Sequence, residues 1–264
     1  MKLLSRFLGG LLALVLAATA GAWVLGQALV DEHYLVRRAA DAQIADQLAD
    51  GLPAALAALT STPEDTRVIL AQAVTPAFVR DQLETVLPQL VRYYAQNGAV
   101  PQVDLRDLAV RIRGEGFAVP PALEPTLATP QSVTAGRLDG TLRAVAHTSS
   151  QLVWLGPLAA AGLTGLILLV ARQRRWLVLA GAAMGGALGV LILAALAYVP
   201  PPLIASTLTT SPARALAPAV RSLAEAVARD QSHRLLWVAA GLAGAAALLC
   251  VIHSVARLRH RKEH

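Results

Sequence analysis

The stretch WLVLAGAAMGGALGVLILAALAYV, residues 176–199, runs for 24 residues without one Asp, Glu, Lys or Arg. As a helix rising 1.5 Å per residue it reaches about 36 Å, enough to cross the ~30 Å hydrocarbon core of a bilayer. Lipid offers no water to the backbone N–H and C=O groups, so a helix, which pairs them internally, is the conformation such a run must take. Arg172, Arg174 and Arg175 stand directly before it. The apolar run and the basic flank together set the reading of the rest of the chain.

The pattern recurs at residues 7–30, 152–171 and 235–256, again with no ionised side chain in 20 to 24 residues. Four transmembrane helices are therefore expected in a chain of 264 residues, 55% of them hydrophobic and only 15% charged. A soluble domain carries about 25% charged residues. Between the spans lie residues 31–151, long enough for a domain, and residues 200–234, a shorter segment. Residues 257–264 form a basic tail. The fold class expected is an all-α membrane protein, four spans plus a mainly helical extracytoplasmic domain with a short strand pair.

Charge sets the orientation. Lys2, Arg6, Arg172, Arg174, Arg175, Arg257, Arg259, Arg261 and Lys262 lie on one side, against Glu263 alone, for a net +8. The other side holds 14 basic and 16 acidic residues, net −2, which accounts for the overall +6. By the positive-inside rule the first set is cytoplasmic. Both termini then face the cytoplasm and residues 31–151 are translocated. The high pI is a topology signal and not a nucleic-acid footprint. Lysine occurs only at Lys2 and Lys262, and alanine is abundant, a composition typical of GC-rich bacterial genomes. The expected location is a bacterial plasma membrane, multi-pass.

Residues 1–22 also read as a cleavable leader, with Ala18-Thr19-Ala20 as a small-residue site. The apolar run, however, continues to Val30, beyond the usual 7–15 residues, which favours an uncleaved anchor. Trp154, Trp176 and Trp237 fall at span ends, where an amphipathic ring suits the interface. Gly181, Gly185 and Gly189 place three glycines on one stripe of the third span, where a neighbouring backbone approaches closely. Such a face serves either a homo-oligomer or the chain's own spans. Three other helices need packing, which favours the second.

In the translocated region, residues 31–59 mix apolar and charged side chains at helical spacing, and the first span is expected to run straight into them. Thr75-Pro76 opens a helix, a capping hydroxyl followed by a proline whose missing N–H costs nothing there. Phe78, Leu83, Leu87, Leu90 and Tyr94 form its apolar face, Pro88 introduces a kink or break, and Asn97-Gly98 ends it. Leu108, Val110 and Ile112 alternate with Ala109 and Arg111, the period of a strand over residues 103–112. Residues 118–130, with four prolines, read as a loop. A helix resumes from Gln131, with Val133, Leu138, Leu142 and Val145 as its apolar positions. After Pro200-Pro201-Pro202, Ser211-Pro212 starts an amphipathic helix whose seam is Leu216, Val220, Leu223 and Val227. That seam packs on the outer domain, lies on the membrane or pairs with a second copy; the lack of lysine argues against the membrane surface. Ala144-Val145-Ala146 before Trp154 and Ala226-Val227-Ala228 before Trp237 hint at two hairpins in one orientation.

The run Thr75-Pro76-Ala77-Phe78-Val79-Arg80-Asp81-Gln82-Leu83-Glu84, continuing through Leu87-Pro88 to Tyr93-Tyr94 and Gly98, resembles a group of uncharacterised bacterial membrane proteins. These have an N-terminal anchor, an outer domain, a second span, a basic turn and a further hairpin. The resemblance implies that layout and supplies no functional residues.

No HExxH, GxSxG, phosphate-loop or GxGxxG pattern is present, so no cofactor is expected and no enzyme activity is indicated. Cys250 excludes an internal disulfide by being alone. With His253 one turn later it makes two soft ligands, too few for a metal site. His147 and His233 sit just outside the membrane before the second and fourth spans, at similar depths if the two hairpins are a true repeat. Asp104 with Asp107, and Glu64 with Asp65, read as solvated surface carboxylates. The spans carry no ionisable residue but His253, which argues against an ion-coupled transporter. The expectation is a non-enzymatic envelope protein whose outer domain binds a partner or ligand, in contact with the lipid bilayer and with a protein partner or a second copy. The alternatives are an accessory subunit of a transport system and a membrane-embedded enzyme.

Overall fold

The structure, a computed structural model, describes residues 2–31, 33–41, 43–58, 60, 63–132, 139–171, 174–197 and 211–262. The chain forms two compact units. Unit 1 comprises Met1–Gly26, His147–Tyr198 and Arg229–His264, and unit 2 comprises Gln27–Ala146 and Val199–Ala228. Four helices are long and apolar enough to cross a membrane: α1 (Lys2–Val30), α8 (Asp139–Val170), α9 (Arg175–Ala197) and α10 (Ser211–Lys262). The protein is an all-α integral membrane protein by this content.

In unit 1 the direction of packing can be read from the close approaches. A Cβ built on Gly9 would lie 3.1 Å from Val178, one on Gly185 3.0 Å from Ala13, and one on Gly21 2.9 Å from Leu193. Residue numbers rise together on α1 and α9, so these two helices run parallel. Thr19 meets Gly156 while Gly26 meets Val153, so α8 is antiparallel to α1. Ser232 Oγ donates to the Ala194 carbonyl at 3.4 Å, and Leu242 reaches Gly186, so α10 is antiparallel to α9. Consecutive helices alternate in direction, as four successive crossings require. The starts of α1 and α9 and the ends of α8 and α10 therefore share one end of the bundle. Two clusters fill it. Leu8, Leu12, Ile167, Ala171, Leu179 and Ala182 lie towards that end, and Ala20, Val24, Val190, Ala194, Leu235 and Ala239 towards the other. About 44% of the α9 span and 39% of the α1 span are buried, against 11% for α8 and 17% for the fourth, so α1 and α9 form the inner pair. The outer faces of α8 and α10 keep Trp154, Leu158, Leu169 and Trp237 exposed, as lipid-facing side chains should be.

Unit 2 is helical. Helix α1 ends at Val30 and does not run on into residues 31–59 as the sequence suggested. The turn after Val30 is held by Asp31, whose Oδ1 accepts the His33 N–H at 3.0 Å and whose carbonyl accepts the Tyr34 N–H. An Asx turn of this kind competes with helix for the backbone. Helices α2 (Tyr34–Asp41), α3 (Ile44–Ala57), α4 (Pro63–Ala73) and α5 (Pro76–Gln96) follow. Thr75 Oγ1 accepts the Phe78 N–H, and Asn97 closes α5 in the left-handed conformation at φ 54°. Both ends are as the sequence indicated. Pro88 does not break α5, which runs unbroken across it.

Residues 103–112 are not a strand. Only β1 (Gln102–Val103) is extended, paired antiparallel with β2 (Gln131–Ser132), and α6 (Arg106–Gly114) takes the rest. Leu105, Leu108 and Ile112, spaced three and four apart, are all buried, whereas Val110 is 64% exposed. The helical period therefore won over the alternation. The prolines of 118–130 do not exclude structure either. Val119, Leu123 and Leu127 recur every four residues and are buried, and α7 (Glu124–Ala128) forms with Pro125 in its first turn, where proline fits. Helix does not resume at Gln131. It begins at Asp139, with Leu142 and Val145 exposed and Ala146 buried; Val133 and Leu138 lie outside the described residues.

The core of unit 2 joins α3, α4, α5, α6 and α7 through Leu56, Leu70, Phe78, Leu108, Ile112, Leu123 and Leu127. A second cluster holds Ala39, Ile44, Leu87 and Ala219, with Leu223 against it, so the amphipathic start of α10 packs within unit 2. Gly51 admits the Ala215 carbonyl, which would stand 2.5 Å from a Cβ there. The amphipathic helix and the fourth span are one helix, not two. Nothing between Ala228 and Leu236 stops it: no glycine or proline occurs, and Arg234 pairs with Asp230 one turn back at 3.0 Å. Pro200, Pro201 and Pro202 lie outside the described residues.

Candidate functional site

Gly185 and Gly189 face α1. A Cβ on Gly189 would stand 2.7 Å from Ala17 Cβ, closer than real Cβ atoms come. Gly181, on the same stripe, meets nothing within 4 Å. It opens instead onto an apolar groove of about 550 Å³ between α9 and α10, lined by Met184, Leu188, Leu191, Leu236, Ala240 and Ala243.

The basic residues divide by how much of them is described. Arg172 lies outside the described residues. Arg174 and Arg175 are exposed at the α8–α9 turn, the guanidinium of Arg175 lying 5.2 Å from the Trp176 ring. Arg6 is exposed on the first turns of α1, at the same end of the bundle. Arg257, Arg259, Arg261 and Lys262 belong to the last turns of α10.

The polar residues of the spans satisfy themselves locally. Thr19 donates to Val15 O at 2.7 Å, Thr164 to Ala160 O at 2.8 Å and Ser254 to Cys250 O at 2.9 Å. His253 is different: its Nε2 is buried without a hydrogen-bond partner among the described residues, while Cys250 is exposed. His147 is exposed and bonded to Gln151 at 3.0 Å, and His233 is exposed. Among the described residues no three His, Cys, Asp or Glu side chains gather as a metal-binding set. Asp104 accepts the Arg106 N–H at 3.0 Å, two residues before α6 begins. Glu64 and Asp65 occupy the first turn of α4, where a carboxylate favours the helix dipole.

The feature with chemistry still unassigned is a cleft of about 260 Å³ in unit 2. Three elements shape it. Helices α2 and α3 meet at Gln43, whose left-handed backbone (φ 51°) turns the chain sharply. Val36, Ala39 and Ala40 come from α2, and Gln43, Ala45 and Asp46 from the start of α3. Arg80, Leu83 and Glu84 come from α5, seated by the Thr75 cap one turn earlier. Val36, Ala39, Ala45 and Leu83 give it apolar lining, and Asp46, Arg80 and Glu84, all exposed, give it charge. Arg80 and Glu84 are four residues apart, the spacing of a helical ion pair, yet among the described residues neither they nor Asp46 make one. Sequence reading missed this cleft. Arg80 and Glu84 were visible as neighbours on a helix, but nothing in the sequence brings Asp46, 34 positions earlier, to the same place.

Comparison with protein-family models, with curated proteins and with solved structures finds no match. The class that the fold defines is that of a membrane protein with four helices long and apolar enough to cross a membrane and a second, helical unit. Four helices of spanning length and hydropathy are present, as the sequence indicated, without a family match to accompany them.

Proposed function

We propose that this chain is a non-enzymatic envelope protein of a bacterial plasma membrane, with both termini in the cytoplasm and unit 2 on the far side, where it binds a ligand or partner. The observation that carries this reading is the α2–α3–α5 cleft. It brings three ionic side chains, unpaired among the described residues, together with apolar side chains around one concavity of unit 2. Convergent polar groups on an apolar concavity are the usual build of a binding site. The charge asymmetry along the sequence supports the orientation.

The test is photo-crosslinking in intact cells with a photoreactive residue in place of Ala40, which lines the cleft and is exposed. A specific adduct that vanishes in an Arg80→Gln/Glu84→Gln background supports the reading. No adduct there, together with one at the α9–α10 groove, would move the assignment to the alternative. That alternative is an accessory subunit of a transport system. It draws on the apolar groove beside Gly181, where small residues let another helix come close.

A further inference from the structure

We infer that the α2–α3–α5 cleft takes a small zwitterion, a molecule of the amino-acid class carrying an ammonium and a carboxylate on an apolar frame. The inference rests on the ligand-binding reading of unit 2 and names the ligand's chemistry.

Charge narrows the choice. Arg80 supplies one guanidinium, and Asp46 and Glu84 supply two carboxylates, around the same cleft. A simple anion such as phosphate would pair with Arg80 but face two like charges. A simple cation would pair with the carboxylates and leave Arg80 beside it. A ligand with both signs engages every ionic group. Its carboxylate accepts the planar fork of Arg80, which suits bidentate recognition. Its ammonium donates to Asp46 and Glu84.

Size narrows it further. At about 30 Å³ for each water-sized group, 260 Å³ holds roughly eight or nine non-hydrogen atoms. That matches a single amino acid of medium size. The walls contributed by Val36, Ala39 and Leu83 offer aliphatic contact. An aliphatic side chain is therefore preferred over a charged one.

All three ionic side chains are exposed. Water competes with each ion pair, so affinity is modest, and the specificity comes from needing both charges at once.

The experiment uses the full chain in lipid nanodiscs and isothermal titration with L-leucine, whose nine non-hydrogen atoms fit the size limit. Isopentylamine, which lacks the carboxylate, and 4-methylpentanoate, which lacks the ammonium, are the controls. Saturable leucine binding with both controls at least about tenfold weaker is expected, since a hydrogen bond to a charged group contributes about that factor. Arg80→Gln should bring leucine down to the level of the amine, and the double change Asp46→Asn/Glu84→Gln down to the level of the acid. The changed side chains are exposed, so circular dichroism should show each variant folded. Two results overturn the inference: no saturable leucine binding up to about 10 mM, the weak end of specific affinities, or controls that bind as well as leucine. If it fails while the Ala40 crosslink still captures a partner, the binding role of unit 2 stands and only the ligand class is lost.

Discussion

The phenolic hydroxyl of Tyr93 donates to Asp139 Oδ2 at 2.8 Å, joining the end of α5 to the first residue of α8 across 46 positions of sequence. Arg143, one turn along α8, lies 3.7 Å from the same Oδ2 and stacks its guanidinium 4.0 Å from the Tyr93 ring. Three side chains thus hold the start of the second span's helix against unit 2's longest soluble helix.

Removing the hydroxyl should therefore be felt. Tyr93→Phe keeps the ring and its cation–π contact but leaves the half-buried Asp139 without its donor. The expected loss is about 1.5–3 kcal/mol, the range for a hydrogen bond to a charged group. Chemical unfolding in detergent measures it. A cycle with Asp139→Ala should give a coupling of at least about 0.5 kcal/mol. Strictly additive losses would mean that the 2.8 Å contact contributes nothing.

The glycine stripe gives a graded prediction. Gly189→Ala puts a methyl group where Ala17 already stands, and overpacking of that kind costs about 1–3 kcal/mol. Ala17→Gly on the facing helix should restore most of it. Gly181→Ala enters open space and should leave the monomer's stability unchanged. If Gly181→Ala instead lowered a measured oligomer population, the groove beside it would be an interface between copies.

At the α5 start, Thr75→Ala removes the acceptor for the Phe78 N–H and should destabilise unit 2 by about 1 kcal/mol. Thr75→Ser should recover it. Equal losses from both would show that the threonine methyl, not the cap, matters.

Asp31 supplies a pH dependence. Slight burial pushes its carboxyl upward, but the Arg37 guanidinium bonded at 2.7 Å and the His33 N–H outweigh that and hold it below the ordinary value. A depressed carboxyl stabilises the fold above its unfolded value of about 4, and that contribution is lost as the pH falls through the lowered folded value. Asp31→Asn should therefore destabilise at pH 7 and make no difference near pH 2. The pair is exposed, so the effect stays within about 1 kcal/mol.

Orientation is open to direct labelling. In a Cys250→Ala background, Val110→Cys should react with a membrane-impermeant maleimide outside intact cells, and Arg174→Cys only after lysis. Both sites are exposed. The reverse pattern would invert the topology read from the arginines.

What the sequence made legible follows from which force dominates at each place. The four spans were plain because lipid imposes one requirement on every residue, and 20 to 24 uncharged positions satisfy it only as helix. The ends of α5 were plain because Thr75, Pro76 and Asn97 act through their own backbone. Residues 103–112 misled because Leu108 and Ile112 fit both a period of two and a period near four. Only the core made by α3, α4 and α5 decides which side chains are inside. The junction in α10 misled in another way. A change from amphipathic to wholly apolar composition looks like a boundary, but composition alone does not stop a helix. The cleft was invisible because it depends on the packing of α2, α3 and α5, which brings Asp46 and Arg80, 34 positions apart, to one concavity.

The parallel seating of α1 on α9 bears on biosynthesis. Ala13 and Ala17 emerge early, but the glycines that receive them, Gly185 and Gly189, come roughly 170 residues later. At about 5–20 residues per second that is a wait of roughly 10–30 s. During that interval the first helix sits in lipid with its intended neighbour still unmade. The inner pair of the bundle can therefore close only late in translation, and a ribosome stalled before residue 185 leaves an anchor that holds the chain in the membrane without its proper mate.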